Sequence, residues 1–344
     1  MTVNAAAQSR PAESLQDRPA HSPPHKKTGP HNKAGKTSRA ARAKSFVTRL
    51  RQDSPLLVMT APAVLVLLLF TYIPLLGSVV AFMDYVPFLG FTQSQWVGWD
   101  NFTALFQDDL FWGALRNTFE ITFLQLLLFF PVPILIAVLF NSVAMPAVKN
   151  FVQSVIYLPH FLSWVIIVAL FQQMLGGGGI ISRILVTHGM SGIGIMSDPS
   201  TFQLLLTSQA IWKDAGWGTI VFLAAIAAID AQLYESAAID GAGALRRFWH
   251  VTLPGMRPII ILMLILRLGD ALTVGFEQIL LQRDAVGPGA AEVIDTYVYF
   301  NGVQDGNWGV ATAAGLLKGV VSLALVLAAN KLAHRFGEEG IYRR

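Results

Sequence analysis

An all-α integral membrane protein is the fold class this sequence predicts, and three observations carry the prediction. Of 344 residues, 53% are hydrophobic and only 13% charged, whereas soluble domains carry roughly 25% charged residues. Six apolar segments are long enough to cross a hydrocarbon core, which takes about 20 helical residues. Between the fourth and fifth lies a polar, glycine-interrupted stretch, Glu235 to Pro254. It is too polar to cross a bilayer and too regular to be a simple connector.

The chain opens with residues 1–45, rich in Pro, Ser, Ala, His, Lys and Arg and without apolar periodicity. They read as a disordered basic tail on the cytoplasmic side. Gly29 to Thr37 looks like a phosphate-binding loop, but five residues separate Gly29 from Gly35 where the motif needs four. Neither a strand nor an apolar helix flanks it. Arg39 to Leu50 alternates basic and apolar positions at helical spacing, as a segment lying on a membrane surface does. Residues 46–344 read as one transmembrane domain, with spans at about 56–82, 119–140, 151–171, 202–229, 259–276 and 310–329. Pro62, Pro74, Pro131, Pro133 and Pro159 fall inside these spans. Membrane helices accept such prolines because neighbouring helices satisfy the freed backbone groups. Met83 to Arg116 is aromatic-rich, with Trp96, Trp99, Phe102, Phe106, Phe111 and Trp112, and reads as an interfacial belt. The glycines between Leu175 and Ile180 open another outer loop. In the elbow (233–254), Tyr234 to Ile239 reads as a short helix carrying the small Ala237 and Ala238. Gly241 and Gly243 interrupt it, and Ala244 to Thr252 reads as a second short helix ended by Pro254.

Charge sets the orientation. Eleven of the 25 Lys and Arg lie in residues 1–51, and a basic tail ahead of a span follows the positive-inside rule rather than nucleic-acid binding. The elbow (Arg246, Arg247, Arg257) and the end of the chain (Lys331, Arg335, Arg343, Arg344) are basic too, whereas the segments after the first, third and fifth spans are acidic or neutral. Both termini are therefore expected in the cytoplasm, and four crossings put the elbow there as well. The first apolar run starts near Leu56, too late and too long for a cleavable signal peptide. There are no cysteines, which excludes disulfides, thiolate metal sites and cysteine nucleophiles.

No enzymatic constellation emerges. The seven histidines are not at metal-ligand spacing, and no serine sits in a Gly-x-Ser-x-Gly setting. His250 reads as a surface residue of the elbow and His160 as a packed, hydrogen-bonded histidine. Ionisable residues inside spans say more, since each costs about 2.5–3.5 kcal/mol at a bilayer centre and normally faces a bundle interior or water. Asp270, about 12 residues into the fifth span, Glu277 beyond it and Lys318 in the sixth are such residues. One reading is an Asp270–Lys318 or Glu277–Lys318 pair holding helices in register, with Gly315 and Gly319 as small packing residues. The other is a polar lining for a hydrophilic substrate, joined by Trp212, Lys213, Asp214 and Trp217 of the fourth span and by Gln172 and Gln173. Aromatic faces with amides and carboxylates suit sugar rings, while helix packing is the plainer role for each tryptophan. An ion-coupled secondary transporter using Asp270, Glu277 and Lys318 as a relay is the alternative.

At the elbow, Glu235, Ala237, Ala238, Asp240 and Gly241, continued through Arg246, Phe248 and Pro254, resemble the "EAA" loop of bacterial ABC importer permeases. Ser236 replaces a common alanine. Asp84-Tyr-Val-Pro-Phe88, Trp96-Val-Gly-Trp-Asp-Asn-Phe102, Tyr157-Leu-Pro-His-Phe161, Phe276-Glu-Gln-Ile279, Asp295-Thr-Tyr-Val-Tyr299 and Gly337-Glu-Glu-Gly-Ile341 are similar to the maltose-type sugar-permease branch, most of all its LplB-like group for oligosaccharides. The resemblance covers about residues 50–344. It implies the type I (MetI-like) permease fold, with Glu235, Ala237, Ala238, Asp240, Gly241, Arg246 and Pro254 in a coupling helix docked on a cytoplasmic ATPase. It further implies two such ATPase subunits, a second homologous permease, an extracytoplasmic solute-binding protein and a carbohydrate substrate, all within membrane lipid. No cofactor is expected in this chain: with no phosphate loop of its own, ATP and Mg would be held by the partner ATPase.

Overall fold

The computed structural model describes residues 54–143, 145–335 and 337. The expectations for the basic tail, and for Glu338, Glu339, Arg343 and Arg344, lie outside the described residues. Six helices are long and apolar enough to cross a membrane: Ser54–Phe82, Asp109–Ser142, Trp164–Thr187, Phe202–Ala227, Ala244–Gly269 and Trp308–Arg335. We number these spans one to six. The chain divides after Leu68 into two compact units. In the first, the helix Ser54–Leu67 carries Pro62 and buries no residue. That suits a helix facing hydrocarbon, where intrahelical bonds satisfy the backbone and the side chains are as apolar as lipid.

The second unit holds everything else. After Phe82 a two-stranded antiparallel hairpin pairs Met83 with Trp96 and Asp84 with Gln95. The helix Asp100–Gln107 leads to Asp108, whose carboxylate accepts the Leu110 N–H and so caps span two. Three apolar clusters follow the length of the unit. Ala81, Leu105, Phe111, Ala114, Tyr297 and Val310 gather around the starts of spans two and six. Ile121, Met196, Phe202, Leu206, Val274, Ile279 and Val293 form a second cluster. Ala137, Phe222, Ile226 and Met256 close the other end, between spans two, four and five.

Two elements depart from a hydropathy reading. The stretch expected as one third span, 151–171, is broken. A helix Pro146–Tyr157 passes into a 3₁₀ turn at Leu158–Phe161, and a new helix starts at Trp164 with Ser163 as its cap. Pro159 lacks an N–H and disfavours helical geometry before it. The carbonyls freed by the break are taken up by Lys213 of span four, whose ammonium donates to His160 O at 2.8 Å and Leu162 O at 2.7 Å. The expected fifth span, 259–276, is shifted: its helix ends at Gly269 with Asp270 as C-cap, and Gly275 at φ +96 starts the short helix Phe276–Leu280.

The segment from Asp270 to Asn307, whose first residues are expected in the fifth span and whose remainder is expected as an outer loop, is packed into the fold. Gln278, Ile279, Gln282, Ala291, Val293, Ile294, Thr296 and Tyr297 in it are all buried. Most of its polar groups are matched, with Glu292 Oε1 and Asp295 Oδ2 buried and without a hydrogen bond among the described residues. Asn117 of span two donates to the carbonyls of Gly289 and Glu292, and Thr118 accepts the Ile294 N–H. Arg283 forks onto Glu292 at 2.9 and 2.6 Å. Such pairing is what a buried irregular backbone requires.

Candidate functional site

The elbow is built by local rules. Asp230 caps its first helix, Ala231–Ile239, by accepting the Gln232 N–H at 2.9 Å. The helix stops in a Schellman turn: the Gly241 N–H donates to Ala238 O at 3.1 Å and the Ala242 N–H to Ala237 O at 2.9 Å. That turn needs a residue at positive φ, and Gly241 stands at +72. The second arm corrects the expectation that Pro254 ends a short helix. Ala244–Arg247 continues through a π-type turn, Phe248–Thr252, into Leu253–Gly269 without a stop. The π turn widens the bonding register just before Pro254, where an N–H is missing, so the helix absorbs the proline instead of breaking. Tyr234 Oη and Thr252 Oγ1, 3.0 Å apart, tie the two arms together. Glu235, Ala238, Asp240, Arg246 and Pro254 are exposed and Ala237 is half-buried. Large apolar side chains stand out beside them: Ile239 is 87% exposed and Leu245 72%. His250 is exposed, and its ring Nδ1 is 3.0 Å from the Arg246 carbonyl one turn back.

The second set of candidates is distributed over the spans. Lys318 is bound to Asp295, which corrects the expected Asp270–Lys318 or Glu277–Lys318 pair. The true partner lies in the packed segment between spans five and six, which hydropathy presents as an outer loop. Gly315 and Gly319 have no atom within 4 Å of an added Cβ, so they pack on nothing among the described residues of this chain. Asp270 and Glu277 are exposed, as are Gln172, Gln173 and Trp212. Phe171 meets the Trp212 ring edge-on at 5.8 Å. Trp217 lies flat on His160, ring centroids 4.5 Å apart, and His160 Nδ1 is 2.8 Å from Asp214 Oδ1. The packed histidine expected at 160 is therefore there, and with Lys213 and Asp214 it holds the break in the third segment.

Sequence reading missed two features. Gln209, Gln278 and Gln282 form a fully buried amide cluster: Gln209 bonds both other side chains at 2.7 to 3.1 Å, and the Gln282 amide also donates to the Gln278 main-chain carbonyl at 3.0 Å. Arg267, one turn before Asp270 in span five, donates to Gln125 of span two at 2.5 Å and covers the Phe129 ring at 5.3 Å. The rule that flagged Asp270 would have flagged Arg267 too, since both interrupt an apolar run.

Residues 129–338 match the family of binding-protein-dependent transport system inner membrane components. The chain belongs to this family. It is thus a multi-pass membrane permease of an ABC importer, and its fold is that of such permeases. The permease is 46% identical to the polygalacturonan/rhamnogalacturonan transport system permease protein YteP of Bacillus subtilis, over 87% of this chain and 94% of that protein. It is 41% identical to protein LplB of the same organism, over 88% and 96%. Among solved structures it is similar to a bacterial ABC transporter involved in the import of the acidic polysaccharide alginate. The identity there is 37%, the TM-score 0.78, and the coverage 85% of this chain and 99% of that one. A bacterial alginate ABC transporter in complex with alginate pentasaccharide-bound periplasmic protein is similar too, with a TM-score of 0.79.

Proposed function

We propose that the permease carries oligosaccharides across a bacterial cell membrane and that its elbow is the point at which an ATPase drives it. The elbow's shape carries the coupling half of this reading: an exposed, Schellman-closed first helix joined to a second arm that runs unbroken into span five. A push on the first helix is then delivered to a membrane span through a continuous rod rather than a loop. Ile239 and Leu245, with Leu233 and Trp249, offer apolar anchors on the elbow surface, and such residues mark protein contacts. Glu235 supplies charge, and Ala237 and Ala238 allow close approach. ATP and Mg belong to the two partner ATPase subunits in this reading. A second permease completes the path and an extracytoplasmic binding protein delivers the sugar. The elbow and both termini then lie in the cytoplasm.

Exposed polar groups support the path. Asp270, Glu277, Gln172 and Gln173 cannot face hydrocarbon cheaply; facing a water-filled route shared with a second permease removes that cost. YteP is named for polygalacturonan and rhamnogalacturonan and the solved transporter for the acidic polysaccharide alginate, which supports an oligosaccharide here. In the reconstituted assembly, Glu235→Lys or Gly241→Asp is expected to leave the permease in the membrane, with ATP hydrolysis no longer producing uptake. Normal uptake by both variants would remove the coupling role.

A further inference from the structure

The elbow has an inner side that its docking role leaves unused. Ala244, Arg247, Phe248 and Thr252 of the second arm fall at i, i+3, i+4 and i+8, on one helical face. With Tyr234 of the first helix they line a cavity of about 350 Å³ whose far wall is Asn141 and Ser142, the end of span two. Leu245, Arg246 and Trp249 line a different hollow, with Gly241, and that hollow carries the apolar anchors offered to an ATPase. The inner lining is one-sided in charge. Arg247 is half-buried, and its guanidinium has no hydrogen bond or ion pair among the described residues. No carboxylate lines the cavity. The Asn141 amide is likewise without a bond among the described residues. Tyr234 and Thr252 have two hydroxyl protons between them and use one in their mutual bond, 3.0 Å long, so one is left to donate.

We propose that this cavity holds the phosphate of an anionic lipid of the inner leaflet, which ties the elbow to span two. The choice of leaflet rests on the cytoplasmic placement of the elbow. A guanidinium fork, an amide and a hydroxyl with no acid opposite them make a donor set for phosphate. The volume takes a group of several heavy atoms rather than a single ion. Val138, one turn before the end of span two, and Phe248 supply an apolar wall. The glycerol and first acyl carbons of a lipid cover that wall, whereas a free phosphate leaves it against water. Span two ends at Ser142, which sets the cavity at headgroup level. One headgroup there bridges span two and both arms of the elbow, so its loss loosens the joint that a push on the elbow must cross.

The test is native mass spectrometry of the complete importer, stripped of lipid in detergent and titrated with dioleoyl phosphatidylglycerol or with dioleoyl phosphatidylcholine, whose choline cation cancels the phosphate charge. The wild type is expected to hold one phosphatidylglycerol about tenfold more tightly than phosphatidylcholine, a factor equal to ~1.4 kcal/mol. Arg247→Gln should bring the ratio to about two or less, and Arg247→Lys, which keeps the charge but not the fork, should hold an intermediate ratio. Lys149→Gln removes the same charge just past the end of span two but outside the cavity, and should keep the wild-type ratio. Asn141→Ala, at an exposed position, should show a partial loss even if Arg247→Gln fails to assemble. An equal fall in Lys149→Gln would mean a general positive field. Displacement of the lipid by millimolar inorganic phosphate would mean a free-phosphate site. Loss of the ATPase subunits from Arg247→Gln with lipid retention unchanged would mean a contact with an acid of the ATPase. Each of these overturns the inference. Labelling of a Ser236→Cys thiol from outside intact cells would overturn the cytoplasmic placement, and the leaflet with it, without changing the lipid ratios.

Discussion

Lys318 shows what a single residue in a span asks of the rest of the chain. Its ammonium is bound to Asp295, and both side chains are about four-fifths buried. Removing one member of such a pair strands the other, at a cost of about 3 kcal/mol. Asp295→Leu is therefore expected to lower the thermal midpoint of the purified importer by several degrees, and Asp295→Leu with Lys318→Met to recover most of it. Tyr297 gives a pH signature in the same segment. Burial pushes its phenol up, and its hydrogen bond to Asp108 at 2.7 Å adds to this. A folded pKa above the unfolded value of about 10 means this stability is fully present below pH 10 and is lost as pH rises beyond it. Tyr297→Phe should flatten that alkaline fall in a stability-versus-pH series. Residues of this kind were half-legible in sequence. Lys318, Asp270 and Glu277 were visible as charges in apolar runs, but Asp295 was hidden in a segment whose polarity is that of a loop. Arg267 follows the same visible rule and was not read by it.

At the scale of elements, hydropathy found six spans and missed their breaks and several of their bounds. A long apolar run reveals that a helix can cross a membrane, but it does not reveal where backbone bonds are interrupted and met by a side chain elsewhere. The break at Pro159 persists because Lys213, more than 50 residues on, supplies donors for it. The fourth span fits against the helix before that break through Gly216, where an added Cβ would collide with the Ile156 carbonyl. Gly216→Val is accordingly expected to reduce the yield of folded permease sharply, whereas Gly289→Val, with nothing near its Cβ position, should be tolerated. Fluorescence-detected size-exclusion chromatography reads both. The elbow was legible as helix, turn and helix because Gly241 and Gly243 punctuate it. Its continuation past Pro254 was not, because a π turn is invisible in a pattern of residue types.

For the whole molecule, the central claim is that the elbow lies on the cytoplasmic side and seats in an ATPase, so that its movement enters the bundle through span five. The EAA-like residues motivate this claim, and the unbroken helix Ala244–Gly269 adds the mechanical link that sequence left out. Because the chain holds no cysteine, Ser236→Cys on the exposed face of the first elbow helix is a unique thiol. The most direct measurement is oxidative cross-linking of that variant, in membranes, to single cysteines placed along the groove of the cognate ATPase. The expected result is a disulfide to the ATPase that blocks uptake until a reductant is added, with no labelling of Cys at 236 by an impermeant maleimide applied to intact cells. Labelling from outside, or full uptake with no cross-link at any groove position, would contradict the account.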